Sequence, residues 1–312
     1  ALTTCCMMTT VRNCDENKTN THQQRCSPLR MPPAYCVTNT VVGECLFSLV
    51  VCASHNGEDF HTDAVQSILD KAGLSQGDLQ CGAHPLDRSY HRRDLPDDQP
   101  PKRIHSNCSG KHAGMLATSK HNGWPTETYR DPKHPLQQRN LKTLADLSDY
   151  PAEDVRIGVD GCGVPVFSMP VRNIALAFAR VARSNELAAP RHEALTRIRN
   201  AMMTYPHMVG GTSRFDSDLM REAQGAVVCK GGAAALHAVG LPGSGIGVAT
   251  KIENADASYI APTSMAVLNY LDALPDTVLS ALDSYRHYPP YINTHDEVVG
   301  HTETTVSLQQ AF

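Results

Sequence analysis

Along the first forty-five residues the hydrophobic and polar positions follow no sustained period of 2 or 3.6. The stretch TTCCMMTTVRNCDENKTNTHQQRC is rich in Thr, Asn and Cys and predicts no regular element. Residues 1–45 are therefore read as an atypical, poorly ordered segment, set apart from a single domain over 46–312. Regular patterning begins at CLFSLVVCAS, an apolar run of the kind that is buried. HTDAVQSILDKAG then places Val65, Ile68 and Leu69 on one helical face, with Gly73 as the stop. Residues 82–105 are rich in Pro and charge and predict a long exposed loop. Gly110 onward repeats apolar positions at Ala113, Leu116 and Ala117, a helix that Gly123 would end.

PLQQRNLKTLADLS spaces Leu141, Leu144 and Leu147 as a further helix, and VRIGVDGCG reads as a short strand entering a glycine turn. Helices are expected at about 172–183, 191–204, 214–223, 263–273 and 276–286. GAVVCKGG, LHAVG and GIGVATKIE are strand-like and joined by short Gly/Pro connections, which predicts an antiparallel meander. EVVGHTET is a candidate last strand. Helices on either side of an antiparallel sheet make a mixed α/β layered domain.

Composition removes several function classes. The net charge is −4 with no basic block, which argues against a nucleic-acid partner. No apolar run approaches the roughly 18 residues that a spanning helix requires, so no membrane association is expected. ALTTCCMMTT lacks a basic start followed by an apolar stretch, so no signal peptide is expected. The odd total of 11 cysteines, six of them at Cys5, Cys6, Cys14, Cys26, Cys36 and Cys45 and the rest dispersed, fits reduced thiols and a cytoplasmic location.

Three short stretches carry candidate chemistry. SNCSGKHAGM puts Cys108, Lys111 and His112 at the start of a helix, with Ser106 or Ser109 as its cap. The positive helix end favours a thiolate at Cys108 and disfavours the ammonium of Lys111, leaving an amine that could act as base or metal ligand. The plainer alternative is a buried structural cysteine beside a surface lysine. Ser54-His55-Asn56 follows the buried run and is placed to face a pocket, though the same residues could simply cap the next helix. Lys230-Gly231-Gly232 ends a strand beside Val227, Val228 and Cys229, where desolvation would favour a neutral amine, unless the lysine reaches water.

In their order, Ser54-His-Asn56 and Lys230-Gly-Gly232 match the second and third elements of the S-x-x-K, S-x-N, K-T-G set of penicillin-recognising serine hydrolases. Before Ser54 the only candidate for the first element is Ser27-Pro-Leu-Arg30, whose arginine cannot accept a serine proton. Asp160-Gly161-Cys162-Gly163 offers a carboxylate and a thiol in a glycine turn. With Cys108 and Lys111 it invites a zinc reading, against a cysteine pair without metal. Arg214 precedes Asp216 and Asp218 and could form a salt bridge with them or fork a substrate carboxylate.

Taken together, CASHNGEDFH, NCSGKHAGMLA, GVDGCGVPVFSMP, PHMVGGTSRFDSDLM, KGGAAALHAVGLP, GIGVATKIE and NTHDEVVG resemble the bacterial-type L-asparaginase II family, the group called Rhizobium-type or thermolabile asparaginases. The resemblance runs over roughly residues 46–300. It implies a serine β-lactamase/penicillin-binding-protein-like fold, a homodimer, and hydrolysis of the L-asparagine side-chain amide to L-aspartate and ammonia by Ser–Lys catalysis. The family's second serine and later lysine map to Ser54 and Lys230, and its zinc ligands to Cys108, Lys111 and Cys162. Asp160 maps to a contact for the substrate amino group, with His55 and Arg214 as further substrate-binding residues. The family's R-S-x-x-K-P front has no match before Ser54. The alternative implied is a catalytically impaired relative that only binds asparagine, aspartate or zinc.

Overall fold

The computed structural model describes residues 6–12, 54–83 and 100–302. The apolar run at 45–53 and most of the loop at 84–99 lie outside the described residues. The architecture is mixed α/β. A four-stranded antiparallel sheet has the order β1-β6-β5-β4, built from β1 (Cys6–Arg12), β4 (Val228–Gly232), β5 (Leu236–Leu241) and β6 (Ile246–Ile252). The meander β4-β5-β6 follows the reading from the sequence, with Lys230 opposite Ala238 and Val239 opposite Val248. Cys6–Arg12 lies inside the segment where the pattern predicts no regular element, yet it pairs antiparallel with β6 from Cys6↔Ile252 to Arg12↔Ile246. Its local residues show no strand signal, and the pairing comes from the long edge that β6 offers.

Helices α1 (Asp59–Lys71), α2 (Ser109–His121) and α3 (Pro135–Ser148) precede a small hairpin of β2 (Arg156–Val159) and β3 (Pro165–Ser168). Helices α4 (Val171–Ala182), α5 (Ala189–Thr204) and α6 (Phe215–Ala223) follow it. After the main sheet come α7 (Ile260–Tyr270), α8 (Asp276–Ala281) and a minor hairpin, β7 (Tyr291–Ile292) with β8 (Val298–Gly300). Every expected helix is present, with ends shifted by a few residues. α1 stops at Ala72 with Gly73 at φ +65°, a left-handed position that a glycine fills without strain.

α4 packs on β5 and β6 because sequence on both sides is small. Gly240 and Gly247 are direct partners in the register. A Cβ on Gly240 would lie 2.5 Å from Phe178 O, and one on Gly247 would overlap Ala175 O. The facing helix stripe Ala175, Ala179 and Ala182 is wholly buried. On the opposite face Val239 and Val248 join Met265 and Leu268 of α7 in the main core. A second core joins α1 and α2 through Val65, Leu69, Leu116 and Tyr129, and it includes Cys108 and Cys162. The functional candidates lie around and between these two cores. No helix among the described residues is long and apolar enough to cross a membrane.

Candidate active site

The segment Ser54–Glu58 is an extended strap between two loops. His55 N–H donates to Asn107 O at 3.1 Å, ahead of α2, and Asn56 N–H donates to Gly210 O at 2.9 Å, ahead of α6. The Asn56 amide donates to Thr212 O at 3.0 Å, and Glu58 Oε2 accepts from Thr212 N–H at 2.9 Å. Gly57 adopts φ +70° and a Cβ there would stand 2.8 Å from His105 O, so the strap can turn here only as glycine. The strap therefore fixes the polar starts of α2 and α6 to one another.

His55, expected to bind substrate, is wholly buried under the strap. Its Nδ1 accepts from Gly57 N–H at 3.0 Å, and its Nε2 lies 3.2 Å from Ser109 Oγ and accepts from Gly110 N–H at 3.4 Å, at the start of α2. Its ring stacks on His61 at 4.6 Å. His55 thus braces the strap from a buried position. His61 accepts from Glu58 N–H through Nδ1 and approaches His207 O through Nε2 at 3.1 Å, so the neutral ring satisfies both nitrogens. Burial pulls its pKa down to about 4, against the smaller upward pull of Glu58.

This shift has a defined consequence. Above about pH 6.5 both folded and unfolded states hold His61 neutral, and it contributes nothing to the pH dependence. As pH falls from about 6.5 towards 4, the unfolded state takes up a proton that the folded state refuses, and stability drops. The loss approaches about 3 kcal/mol at about 1.4 kcal/mol per pKa unit. Urea unfolding at pH 7.5 and pH 4.5 should show a smaller pH-dependent loss for His61→Gln than for the parent chain. An equal loss in both would remove His61 as the cause.

The second cluster surrounds Lys230. Its Nζ donates to Asp216 Oδ2 at 3.1 Å and to Gly231 O at 2.6 Å. Asp216 sits in the first turn of α6, where a carboxylate suits the helix end, and it also accepts from Gly231 N–H at 2.7 Å. Burial pushes this carboxylate up, but Lys230, His237 and the Gly231 amide outweigh it and hold the acid well below its usual range. The apolar flank of Lys230 expected from Val227–Cys229 is real, since all three are buried. What the flank does not reveal is the anionic partner from another element. Ser54 is half-buried and makes no hydrogen bond to Lys230.

Arg214 caps α6 and its guanidinium pairs with neither nearby aspartate. Asp216 is taken by Lys230, and Asp218 by Arg221 Nη1 at 2.6 Å and Tyr285 Oη at 2.5 Å. The structural salt bridge expected as one role for Arg214 is therefore absent among the described residues. The side chain is half-buried, and the start of its stem stands beside Gly210, on the loop that the strap grips.

The third cluster brings Cys108, Lys111, Asp160 and Cys162 together, as the spacing alone only suggested. The two sulfurs and an Asp160 oxygen lie within 4.8 Å of one another. Lys111 Nζ donates to Asp160 Oδ2 at 2.8 Å, and Cys162 Sγ approaches the same oxygen at 3.4 Å. Burial pulls the Lys111 amine down, yet Cys108 and Asp160 together raise it, so the ammonium is favoured. That corrects the neutral amine expected from the helix end alone. The two thiols share a proton. Cys108 keeps it and is raised by its bond to Cys162 and by burial, while Cys162 falls to about 4 through that same bond. Of the two thiols, Cys162 is the one whose surroundings, with His112 and Lys111 beside it, favour the thiolate.

From the sequence, His112 or His55 is a candidate to complete a zinc ligand set with Cys108, Lys111 and Cys162. The structure buries His112 completely, with Nδ1 2.6 Å from Tyr129 Oη and Nε2 without a hydrogen-bond partner. Two sulfurs and a carboxylate oxygen held within 4.8 Å of one another, with the Lys111 amine against the carboxylate, are donor chemistry that zinc can take, so the residues fit the metal.

The sequence profile of the L-asparaginase II family matches residues 48–304, which contain all three clusters. No curated protein matches the chain. The chain belongs to the L-asparaginase II family.

Proposed function

We propose that this member of the L-asparaginase II family hydrolyses the side-chain amide of L-asparagine to L-aspartate and ammonia, on a serine β-lactamase/penicillin-binding-protein-like fold. The observation that carries the reading is the strap. Through Asn107 on one side and Gly210 and Thr212 on the other, it ties the loop that begins at Ser54 to the starts of α2 and α6, the helices that carry Lys111 and Asp216, which supports reading these residues as one site. Asparagine presents an ammonium, a carboxylate and an amide. Asp160 offers a carboxylate to the first and Arg214 a planar fork to the second.

Ser54 Oγ would attack the amide carbon. Lys230, after first giving one proton of its ammonium to solvent, would take the serine proton as a neutral amine and pass it to the departing NH2, so that the C–N bond breaks and ammonia leaves an ester on Ser54. Water then attacks the ester and returns aspartate and the free serine. Ser54 and Lys230 are apart in the substrate-free structure, and catalytic contacts of this kind often tighten only once substrate is bound. The separation also favours a second reading, a relative that binds asparagine without cleaving it. Ammonia release separates the two.

Arg214 provides a direct test of the substrate pose. Arg214→Ala is expected to raise KM about 10- to 100-fold, since a charged hydrogen bond is worth roughly 1.5–3 kcal/mol. Its Tm should stay within about 2 °C of the parent because the guanidinium holds nothing else in the fold. An unchanged KM would remove the carboxylate contact.

Zinc, where it binds, would be held by the Cys108 and Cys162 sulfurs with Lys111 as third donor. It would supply a fixed positive charge next to Asp160 and the D-G-C turn. For Lys111 to join, its amine must give up the proton it now donates to Asp160. The metal-free chain titrated with zinc should therefore release protons and gain Tm, a gain that reaches about 2.7 kcal/mol of stability at a hundredfold excess over Kd. Cys162→Ser should abolish both signals. Zinc without effect on either protein would rule the site out. The same reading carries a homodimer and a cytoplasmic setting.

A further inference from the structure

The buried group behind Lys230 does more than neutralise a charge. Three elements converge on the Asp216 carboxylate. From β4, Lys230 Nζ and Gly231 N–H both reach Oδ2, at 3.1 and 2.7 Å. From β5, His237 Nε2 stands 3.2 Å from Oδ1, off the line of a good hydrogen bond. From α7, Ser264 Oγ lies 2.8 Å from His237 Nδ1 and holds the ring from its far side, with Nε2 turned toward the carboxylate. Cys229 is the other titratable group against Asp216, its thiol donating to Asp216 O at 3.6 Å; burial and the Asp216 charge keep it protonated. Phe215 packs on the His237 ring at 5.2 Å and closes the group to water. Asp216, Cys229 and His237 group three donor atoms within 4.8 Å, but the Lys230 ammonium already fills the place a cation would take.

We propose that Asp216 is a positioning residue, clamped from behind by the His237–Ser264 pair, that fixes the Lys230 amine and leaves one N–H to face the site. An ammonium has three donors. Asp216 and Gly231 O take two, so the direction of the third is set by the carboxylate. Without the clamp the carboxylate could rotate about its own side chain, and the lysine with it. Asp216 lies behind the lysine and nearly buried, so it acts through Lys230 and does not touch substrate. The inference rests on Lys230 being the lysine of the proposed reaction.

The test reads Lys230 directly. The full chain and its Asp216→Asn and His237→Gln variants are acetylated with limiting acetic anhydride between pH 6 and pH 11. Mass spectrometry then compares Lys230 with exposed Lys133 in the same sample. In Asp216→Asn, Lys230 should label several-fold faster relative to Lys133 at pH 8, because the amine is no longer held in its bond to the carboxylate and becomes available to the reagent. His237→Gln keeps the carboxylate but removes its clamp and should raise Lys230 labelling in the same direction by less, about two- to threefold at pH 8. If Asp216→Asn does not fold, His237→Gln decides. A folded variant whose Lys230 curve overlays the parent's overturns the proposal. Ammonia release from asparagine is measured in parallel. Shifted labelling with no ammonia from the parent chain would leave the positioning role standing and the hydrolase reading fallen. Unshifted labelling with normal ammonia release would do the reverse.

Discussion

Lys230→Arg should release ammonia from L-asparagine about a thousandfold more slowly than the parent chain, the middle of the range for a positioned proton carrier. Arginine keeps the positive charge that the buried Asp216 requires but cannot take a proton at any working pH. The variant therefore separates charge from proton transfer. Lys230→Met should be as slow and also less stable by about 3 kcal/mol or more, because it leaves a nearly buried carboxylate without its cation. Circular dichroism and Tm identify that second effect. Near-parental turnover by Lys230→Arg would show that Lys230 supplies charge alone and that another group carries the proton.

Gly247→Ala should cost the fold more than any conservative surface change, by about 3 kcal/mol or more. The added Cβ would overlap the backbone oxygen of Ala175 and come within 2.6 Å of Ala179 N. Neither can swing aside as a side-chain end would, so α4 must lift from β6 as a unit. Lifting it also uncovers Gly240, the partner of Gly247 in the register, and the buried alanine stripe that fills the groove between them. Gly243→Ala is the control, since a Cβ there meets nothing within 4 Å. Urea unfolding of the pair should show a large fall in midpoint for Gly247→Ala and almost none for Gly243→Ala. Equal midpoints would mean that α4 does not rest on the sheet in the way described.

Where local pattern determines structure, the sequence was readable. The period of Val65, Ile68 and Leu69 and the Gly73 stop found α1, and the short Gly/Pro links found the β4-β5-β6 meander. β1 was not readable because Cys6–Arg12 becomes a strand through an edge that lies about 240 residues away in the chain. The site divides in the same way. Residue types near helix and strand ends drew attention to Cys108, Lys111, Cys162 and Lys230. The partners that bear on their charge come from elsewhere in the fold: Asp216 for Lys230, Asp160 for Lys111, and each of Cys108 and Cys162 for the other. Helix-end electrostatics alone gave the wrong proton positions because a carboxylate in contact outweighs a partial charge at a helix end. His55 looked like a pocket residue by sequence position, and only the hydrogen bonds around it show that it braces the strap.

The reaction itself is the most direct test. The purified chain is incubated with L-asparagine, and ammonia and aspartate are quantified over time, with Lys230→Arg alongside and Tm recorded for each protein with and without asparagine. The account predicts equimolar ammonia and aspartate from the parent chain, and loss of both in the variant while asparagine still raises its Tm. No ammonia from a folded parent chain whose Tm rises with asparagine would contradict it and leave a binding protein in place of an enzyme.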